Sequence, residues 1–348
     1  MEIEKPIIFN LDLPDLQKLV LELNEPVYRS TQLWQGLYQN YWQSPIEFTT
    51  LPLHFKNLIF EILSFTSLKP IRSITSGDRG TVKTLFQLQD GNTIESVLML
   101  YNKRNTLCIS TQAGCGMGCV FCATGQMGYK RNLTSGEIVE QVLFFARLLR
   151  DRNALVTNVV IMGMGEPFNN YDATLSAIDR LNDADGFNLG ARRFTISTVG
   201  IIPKIIQFAD EKRQINLAIS LHSGRNELRS SLLPINNKYP VEELINACRY
   251  YVDQTRRRIS FEWALIDGVN DSPRDAAQLA ILVKGLLCHV NVIPLNPTQK
   301  YKGQPPGYQK VEDFCAELTK AGVPSTIRLR RGIEIQAGCG QLASNELP

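Results

Sequence analysis

No apolar run in this 348-residue chain approaches the roughly 20 residues that a bilayer-spanning helix needs, which argues against an integral helical membrane protein. The first ten residues, MEIEKPIIFN, carry acids early and lack the basic-then-apolar order of a secretory leader, so a cytoplasmic protein is expected. Short-period repeats and low-complexity tracts are missing, which sets aside repeat arrays and compositionally disordered chains. Histidine is scarce, with only His54, His222 and His289, and none of them lies near the clustered cysteines. A closed zinc site of the Cys/His kind therefore lacks its usual second pair of ligands. No RNA-reading signature of the RRM or KH kind is present.

Net charge is only +3, but it is unevenly spread. Residues 1–70 hold five basic and eight acidic side chains, and the rest holds 32 and 26. Basic groups cluster at Lys130-Arg131, Arg192-Arg193, Arg256-Arg257-Arg258 and Arg328/Arg330/Arg331. Such a body attracts a polyanion, although the same clusters also make ordinary solvated surface. Eight cysteines in a chain this long are not needed as staples, and their clustering points to metal or redox chemistry.

Apolar spacing predicts helices over residues 12–23 (Leu16, Leu19, Val20, Leu23) and 30–41 (Leu33, Trp34, Leu37, Tyr38, Tyr41). Residues 84–88 and 93–101 flank Asp90-Gly91-Asn92, a hairpin signal. Strands are then expected at 106–111, 157–162, 193–198, 215–221, 258–266, 289–294 and 326–330, with helices between them. Thr134-Ser135-Gly136-Glu137 reads as a capping box, and Pro240 and Pro273 stand at helix starts. The repeated β–α pattern implies an α/β fold with parallel strands forming a barrel or partial barrel, its functional residues at the C-terminal strand ends. The expected units are a helical accessory domain at 1–70, a β-hairpin linker at 71–103, and a core at 104–348 that ends in a cysteine-bearing segment.

Cys115, Cys119 and Cys122 follow the first expected barrel strand with C-x3-C-x2-C spacing on a glycine-rich loop. Thiolates suit iron–sulfur clusters or zinc, and three local ligands leave one iron of a four-iron cluster open. This spacing is the radical-SAM signature, in which S-adenosylmethionine (SAM) fills the open position. The other strand ends suit a SAM pocket: Gly163-Met164-Gly165-Glu166-Pro167, Ser197-Thr198-Val199-Gly200, Ser220-Leu221-His222 and Pro294-Leu295-Asn296-Pro297. Glu166 is placed to accept from SAM's ammonium. Cys248, Cys288 and Cys315, among apolar neighbours, are expected in the core.

Several longer stretches resemble the RlmN family: CGMGCVFCATG (115–125), KRNLTSGEIVEQV (130–142), GMGEP (163–167), SLH (220–222), LLPINNKYP (232–240), GVNDS (268–272), NVIPLNP (291–297) and CGQL (339–342). The resemblance covers nearly the whole chain and is weakest in 1–70. It implies a radical-SAM partial (β/α) barrel and an enzyme methylating carbon 2 of an adenine in 23S ribosomal RNA, with transfer RNA a further substrate in some members. By motif, Cys115, Cys119 and Cys122 would bind one 4Fe-4S cluster. Gly165, Glu166, Ser197, Ser220, Leu221, His222 and Asn296 would contact SAM. Cys339 would be the cysteine that becomes methylated, Cys108 its partner, and Glu95 the proton acceptor. The related Cfr enzymes methylate carbon 8, and Pro167 favours RlmN over Cfr. Two local departures from the family pattern are Ser223-Gly224-Arg225 after His222, where Ala-Pro is common, and Gly338, where Ala is usual.

The resemblance also implies a two-step route using two SAM molecules per turnover. Cys339 first takes a methyl from one SAM. A radical derived from a second SAM removes a hydrogen from that methyl, and the resulting carbon adds to adenine as a covalent protein–RNA adduct. Cys108 or Glu95 takes the ring proton, and Cys108 attacks the Cys339 sulfur to release product and leave a disulfide. An electron donor such as flavodoxin or ferredoxin is implied. From the residues alone, Cys108 is also readable as an inert core cysteine, whereas Cys339 in Ala337-Gly338-Cys339-Gly340 is poor core material. The competing readings are a radical-SAM enzyme on a non-RNA substrate, such as a glycyl-radical activase, and a zinc-stabilised RNA-binding module.

Overall fold

The computed structural model describes residues 5–328 and 330–343. The N-terminal part is helical, as expected: α1 (Leu13–Glu22), α2 (Tyr28–Tyr38) and α3 (Leu53–Ile62). Asp12 and Asp15 close a reciprocal capping box at the start of α1. Leu33, Trp34, Leu37 and Tyr38 are buried along one face of α2. Tyr41 does not join them, because the helix ends at Tyr38 and Tyr41 takes a left-handed φ of 57°. These helices share one hydrophobic cluster with the rest of the chain, and Trp34 Nε1 donates to Asp183 Oδ1 at 3.3 Å.

The expected hairpin is present as β2 (Thr81–Leu88) and β3 (Thr93–Tyr101), preceded by β1 (Leu68–Thr75), which the sequence pattern did not reveal. Next come β4 (Arg104–Cys108), a short ribbon of β5 (Gln112–Gly114) and β6 (Tyr129–Asn132) around α4 (Ala123–Met127), and α5 (Ser135–Arg150). The first barrel strand therefore stops at Cys108 rather than 111, and the cysteine loop follows β5. Thr134 and Glu137 form the expected capping box of α5. The β–α alternation continues through β7 (Asn158–Ile161), α6 (Tyr171–Asn182), β8 (Phe194–Thr198), α7 (Ile202–Asp210), β9 (Asn216–Ser220), α8 (Asn226–Leu232), α9 (Val241–Thr255), β10 (Ile259–Leu265), α10 (Pro273–Leu282), β11 (Cys288–Pro294), α11 (Tyr308–Lys320) and β12 (Ser325–Ile327). The strand expected at 326–330 ends at Ile327, and residue 329 of that expectation lies outside the described residues, as do 1–4 and 344–348 at the two chain ends.

Ten strands form one mixed sheet in the order β1-β2-β3-β4-β7-β8-β9-β10-β11-β12. The pairs from β4 to β12 are all parallel, and β1 to β4 pair antiparallel. Among the described residues β1 and β12 do not pair, so the sheet is a partial barrel with a three-strand extension at one edge. Alternate side chains point to opposite faces. Leu107, Val159, Ile196, Leu217, Phe261 and Val290 join the main apolar core on one face. The other face carries Ser220, Glu262, Asn291 and Thr326 in one cross-strand row, and Lys83, Val97 and Cys108 in another. A polar inner face is suited to enclosing a ligand rather than a second core layer. Cys248 and Cys288 are buried and Cys315 is half-buried, in line with core roles. Among the described residues, no helix is long and apolar enough to cross a membrane.

Candidate active site

The three-cysteine loop lies at the C-terminal end of the parallel strands, between β5 and α4. Gly118 takes a φ of 65°, and Gly125 packs so closely that a Cβ would stand 3.0 Å from the Cys119 backbone. Cys115 and Cys119 are buried and Cys122 is half-buried. Burial pushes the Cys115 thiol up to about 12 and raises Cys119 and Cys122 as well; for Cys119, the other two thiols add to the rise. Among the described residues, no three His, Cys, Asp or Glu groups converge tightly enough to hold a single metal ion. Three soft donors on one loop suit a cluster whose separate irons would each take one thiolate. The Gly163-Met164-Gly165 turn packs closely on the segment after β4: a Cβ on Gly163 would fall 2.6 Å from the Ile109 carbonyl, and one on Gly165 2.6 Å from Gln112 Cβ.

Glu166 caps this loop. Its carboxylate accepts from Val199 N at 2.9 Å and Phe168 N at 3.0 Å. Burial pushes its pKa up to about 7 against the pull of those bonds and of the Thr198 hydroxyl. Ser197 Oγ and Ser220 Oγ lie 3.5 Å apart at the ends of β8 and β9. Leu221 is fully buried. His222, at a φ of 57°, accepts from Ala264 N on Nδ1 at 2.8 Å and meets Phe121 of the cysteine loop edge to face at 5.0 Å. Burial, helped by Arg229, drives its pKa down to about 3, so the imidazole is neutral.

Residues 331–343 form an arm that crosses the mouth of the barrel and places Cys339 at its centre. Ala123 N donates to the Gly340 carbonyl at 2.7 Å, and Thr124 Oγ1 to that of Leu342 at 2.6 Å, which tie the arm to the cysteine loop. Asn296 Nδ2 donates to the Cys339 carbonyl at 3.1 Å and Gln341 Nε2 to that of Pro297 at 2.9 Å, which tie it to the end of β11. A Cβ on residue 338 would stand 2.7 Å from Asn296 Nδ2 and from Gln341 Oε1, so Gly338 fits this close packing, and an alanine would push back two flexible side-chain ends. On the third side, Ala343 N donates to Glu95 Oε2 at 3.0 Å and Lys83 Nζ donates to the Gln336 carbonyl at 3.3 Å.

Cys339 is exposed at the mouth. The surrounding protein nevertheless pushes its thiol up to about 12 by desolvation; Glu262 and Cys122 add to this and Arg328 opposes it. Cys108, half-buried at the end of β4, is likewise raised to about 12 by burial, and the nearby Cys339 adds to the rise. The structure thus gathers Cys339, Cys108, Cys122, Glu95 and Asn296 around one arm. Both candidate redox cysteines are free thiols, and no disulfide joins them.

Sequence reasoning missed four features. Lys83, 4% exposed, pairs with buried Glu95 at 2.8 Å. Arg229, fully buried, donates to the carbonyls of Leu221, Val199 and Ser220 and to Asn236 Oδ1, which binds two strand ends together. Glu262 is buried and accepts from Asn291 Nδ2 at 2.7 Å. A second apolar cluster of Phe121, Leu232, Leu233, Ala264, Ile266 and Leu295 packs beside Cys119. The one available signal was parity: counted back from the Asp90-Gly91-Asn92 turn, Lys83 falls on the same strand face as Glu95.

A parallel partial barrel with a three-cysteine loop at its C-terminal rim defines a radical SAM enzyme, and residues 109–280 match the model of the radical SAM superfamily. A crystal structure of a radical SAM methyltransferase from Sphaerobacter thermophilus superposes with a TM-score of 0.96 at 46% identity, covering 98% of this chain and all of that one. A probable dual-specificity RNA methyltransferase RlmN from Geobacillus kaustophilus is 46% identical, covering 98% of this chain and 93% of its own length. A dual-specificity RNA methyltransferase RlmN 1 from Myxococcus xanthus is 47% identical over 96% and 93%. The chain belongs to the RlmN family of radical SAM RNA methyltransferases. This membership brings with it a 4Fe-4S cluster, SAM and an RNA substrate. It sets aside both the zinc-stabilised module and the activase reading.

Proposed function

We propose that this enzyme methylates carbon 2 of an adenine in 23S ribosomal RNA, and in transfer RNA, using two SAM molecules per turnover. Cys115, Cys119 and Cys122 hold one 4Fe-4S cluster, which when bound supplies the electron that opens a radical route from SAM. Glu166 takes the SAM ammonium. Gly165, Ser197, Ser220, Leu221, His222 and Asn296 line the rest of its seat, with the apolar patch around Phe121 and Leu295 beside it. Cys339 carries the methyl group and forms the bond to adenine. Glu95 or Cys108 takes the ring proton, and Cys108 displaces the Cys339 sulfur to release the product.

The observation that supports this most directly is the path of the arm, which sets Cys339 between the cysteine loop on one side and Cys108 and Glu95 on the other. The helices of 1–70 and the basic loops of 104–348 hold the RNA, and the strands of 71–103 support the arm. The target base leaves its stack to reach Cys339. A flavodoxin or ferredoxin supplies electrons, and the reaction runs in the cytoplasm. The test is Cys108→Ala: it should trap a covalent protein–RNA adduct on a denaturing gel. Ordinary release of methylated RNA by this variant would overturn the resolving role.

A further inference from the structure

Lys83 is assigned by neither the motifs nor the family resemblance. Its register partner on β3 is Val97, whose partner on β4 is Cys108, so Lys83 and Cys108 stand in one row on the inner face. Glu95 is the diagonal neighbour on the same face. Lys83 Nζ lies 2.8 Å from Glu95 Oε1 and donates to the Gln336 carbonyl at 3.3 Å. The second carboxylate oxygen of Glu95 accepts from Ala343 N at 3.0 Å. One buried ammonium thus touches the candidate proton acceptor and the arm three residues before Cys339. Gln336 takes a left-handed φ of 53°, so the carbonyl that Lys83 grips lies at a sharp bend in the arm.

A buried ion pair is weak grounds for stability, because apolar residues of similar size often replace one at no loss. A structural pair would also not need a third contact on the segment that bears the reacting group. We propose that Lys83 is a positioning residue for the second half of the reaction, holding the Glu95 carboxylate and the Cys339 arm in one frame. The inference rests on the reading of Glu95 as proton acceptor. In that half, the radical adduct gives up one electron, which the 4Fe-4S cluster would take back when bound, and its ring carbon gives its proton to Glu95; Cys108 then sheds its thiol proton and its sulfur forms an S–S bond with Cys339. The C–S bond breaks with its electron pair returning to the methylene carbon, and that carbon takes a proton to become the methyl. Frame errors of about 1 Å cost on the order of 100-fold in such steps.

The experiment compares Lys83→Met, Lys83→Arg, Glu95→Gln and the Glu95→Gln/Lys83→Met double variant in the reconstituted holoenzyme with RNA. It reads the ratio of covalent adduct to released methylated RNA, a ratio that the folded fraction does not change. Lys83→Met should raise the ratio by roughly 10–100-fold, Lys83→Arg should return it toward wild type, and the double variant should be no worse than Glu95→Gln alone. Hydrogen exchange at the Ala343 amide should also quicken in Lys83→Met. If Lys83→Met lowers only the folded yield at an unchanged ratio, or adds fully to Glu95→Gln, Lys83 is merely structural and the proposal falls. Should Lys83→Met not fold, Lys83→Gln is read the same way. A wild-type ratio in Glu95→Gln would overturn the Glu95 reading itself, a result distinct from failure of Lys83 alone.

Discussion

Asn296 holds Cys339 by its backbone: Nδ2 donates to the Cys339 carbonyl at 3.1 Å, while Oδ1 accepts from Arg330 Nε at 3.3 Å. The thiol is thereby fixed without being touched. Asn296→Ala should slow SAM-dependent methylation of Cys339 by about tenfold, the worth of one buried hydrogen bond. Intact-protein mass spectrometry checks this, with the iron content of the variant expected to stay at the wild-type level. An unchanged rate would mean that the Gln341–Pro297 and Thr124–Leu342 contacts suffice to hold the arm.

Glu166 gives a pH dependence with a definite sign. Burial raises its folded-state pKa to about 7, so the protonated form prevails below that pH and the carboxylate above it. SAM's ammonium needs the carboxylate, so SAM should bind more tightly as pH rises through about 7. Its contribution to the stability of the ligand-free fold runs the other way: present at acid pH and lost as pH rises through about 7. Equilibrium binding to the reconstituted enzyme should show this slope, and Glu166→Gln should flatten it and weaken binding by roughly tenfold or more. A slope that persists in Glu166→Gln would move the titrating group elsewhere.

Arg229 should be costly to remove. It is fully buried, and burial lowers its pKa to about 10. Arg229→Met would leave the carbonyls of Leu221, Val199 and Ser220 and the Asn236 side chain without their donor. A loss of about 3–5 kcal/mol in urea unfolding is expected, with Arg229→Lys in between. A shift under about 1 kcal/mol would mean that water replaces the guanidinium, against the burial seen here.

The β–α order, the helical N-terminal part, the hairpin and the cysteine loop were legible because each rests on local chemistry: strand periodicity, the Thr134 capping box, the Asp90-Gly91-Asn92 turn and the spacing of Cys115, Cys119 and Cys122. β1 was not legible, because its exposed edge-strand residues lack apolar alternation. Tyr41 fitted the helical spacing of α2, but the helix stops at Tyr38 and a left-handed residue carries the chain away. Lys83 and Glu262 take much of their meaning from partners far along the chain, Gln336 and Asn291, and Arg229 from strand-end carbonyls that only the folded sheet brings together. The meeting of Cys339 with Cys108 was expected only by resemblance, since no local signal joins residues 231 positions apart.

Mass spectrometry of an adenosine digest, made from RNA incubated anaerobically with reconstituted enzyme, SAM and a reductant, reads the methylated ring position itself. A carbon-2 methyltransferase working through Cys339 gives 2-methyladenosine, absent when Cys339 is replaced by Ala. An 8-methyladenosine product would contradict the assigned ring position and align the enzyme with Cfr. No methylated adenosine, from protein with a verified cluster and active SAM cleavage, would contradict the proposed reaction on adenine.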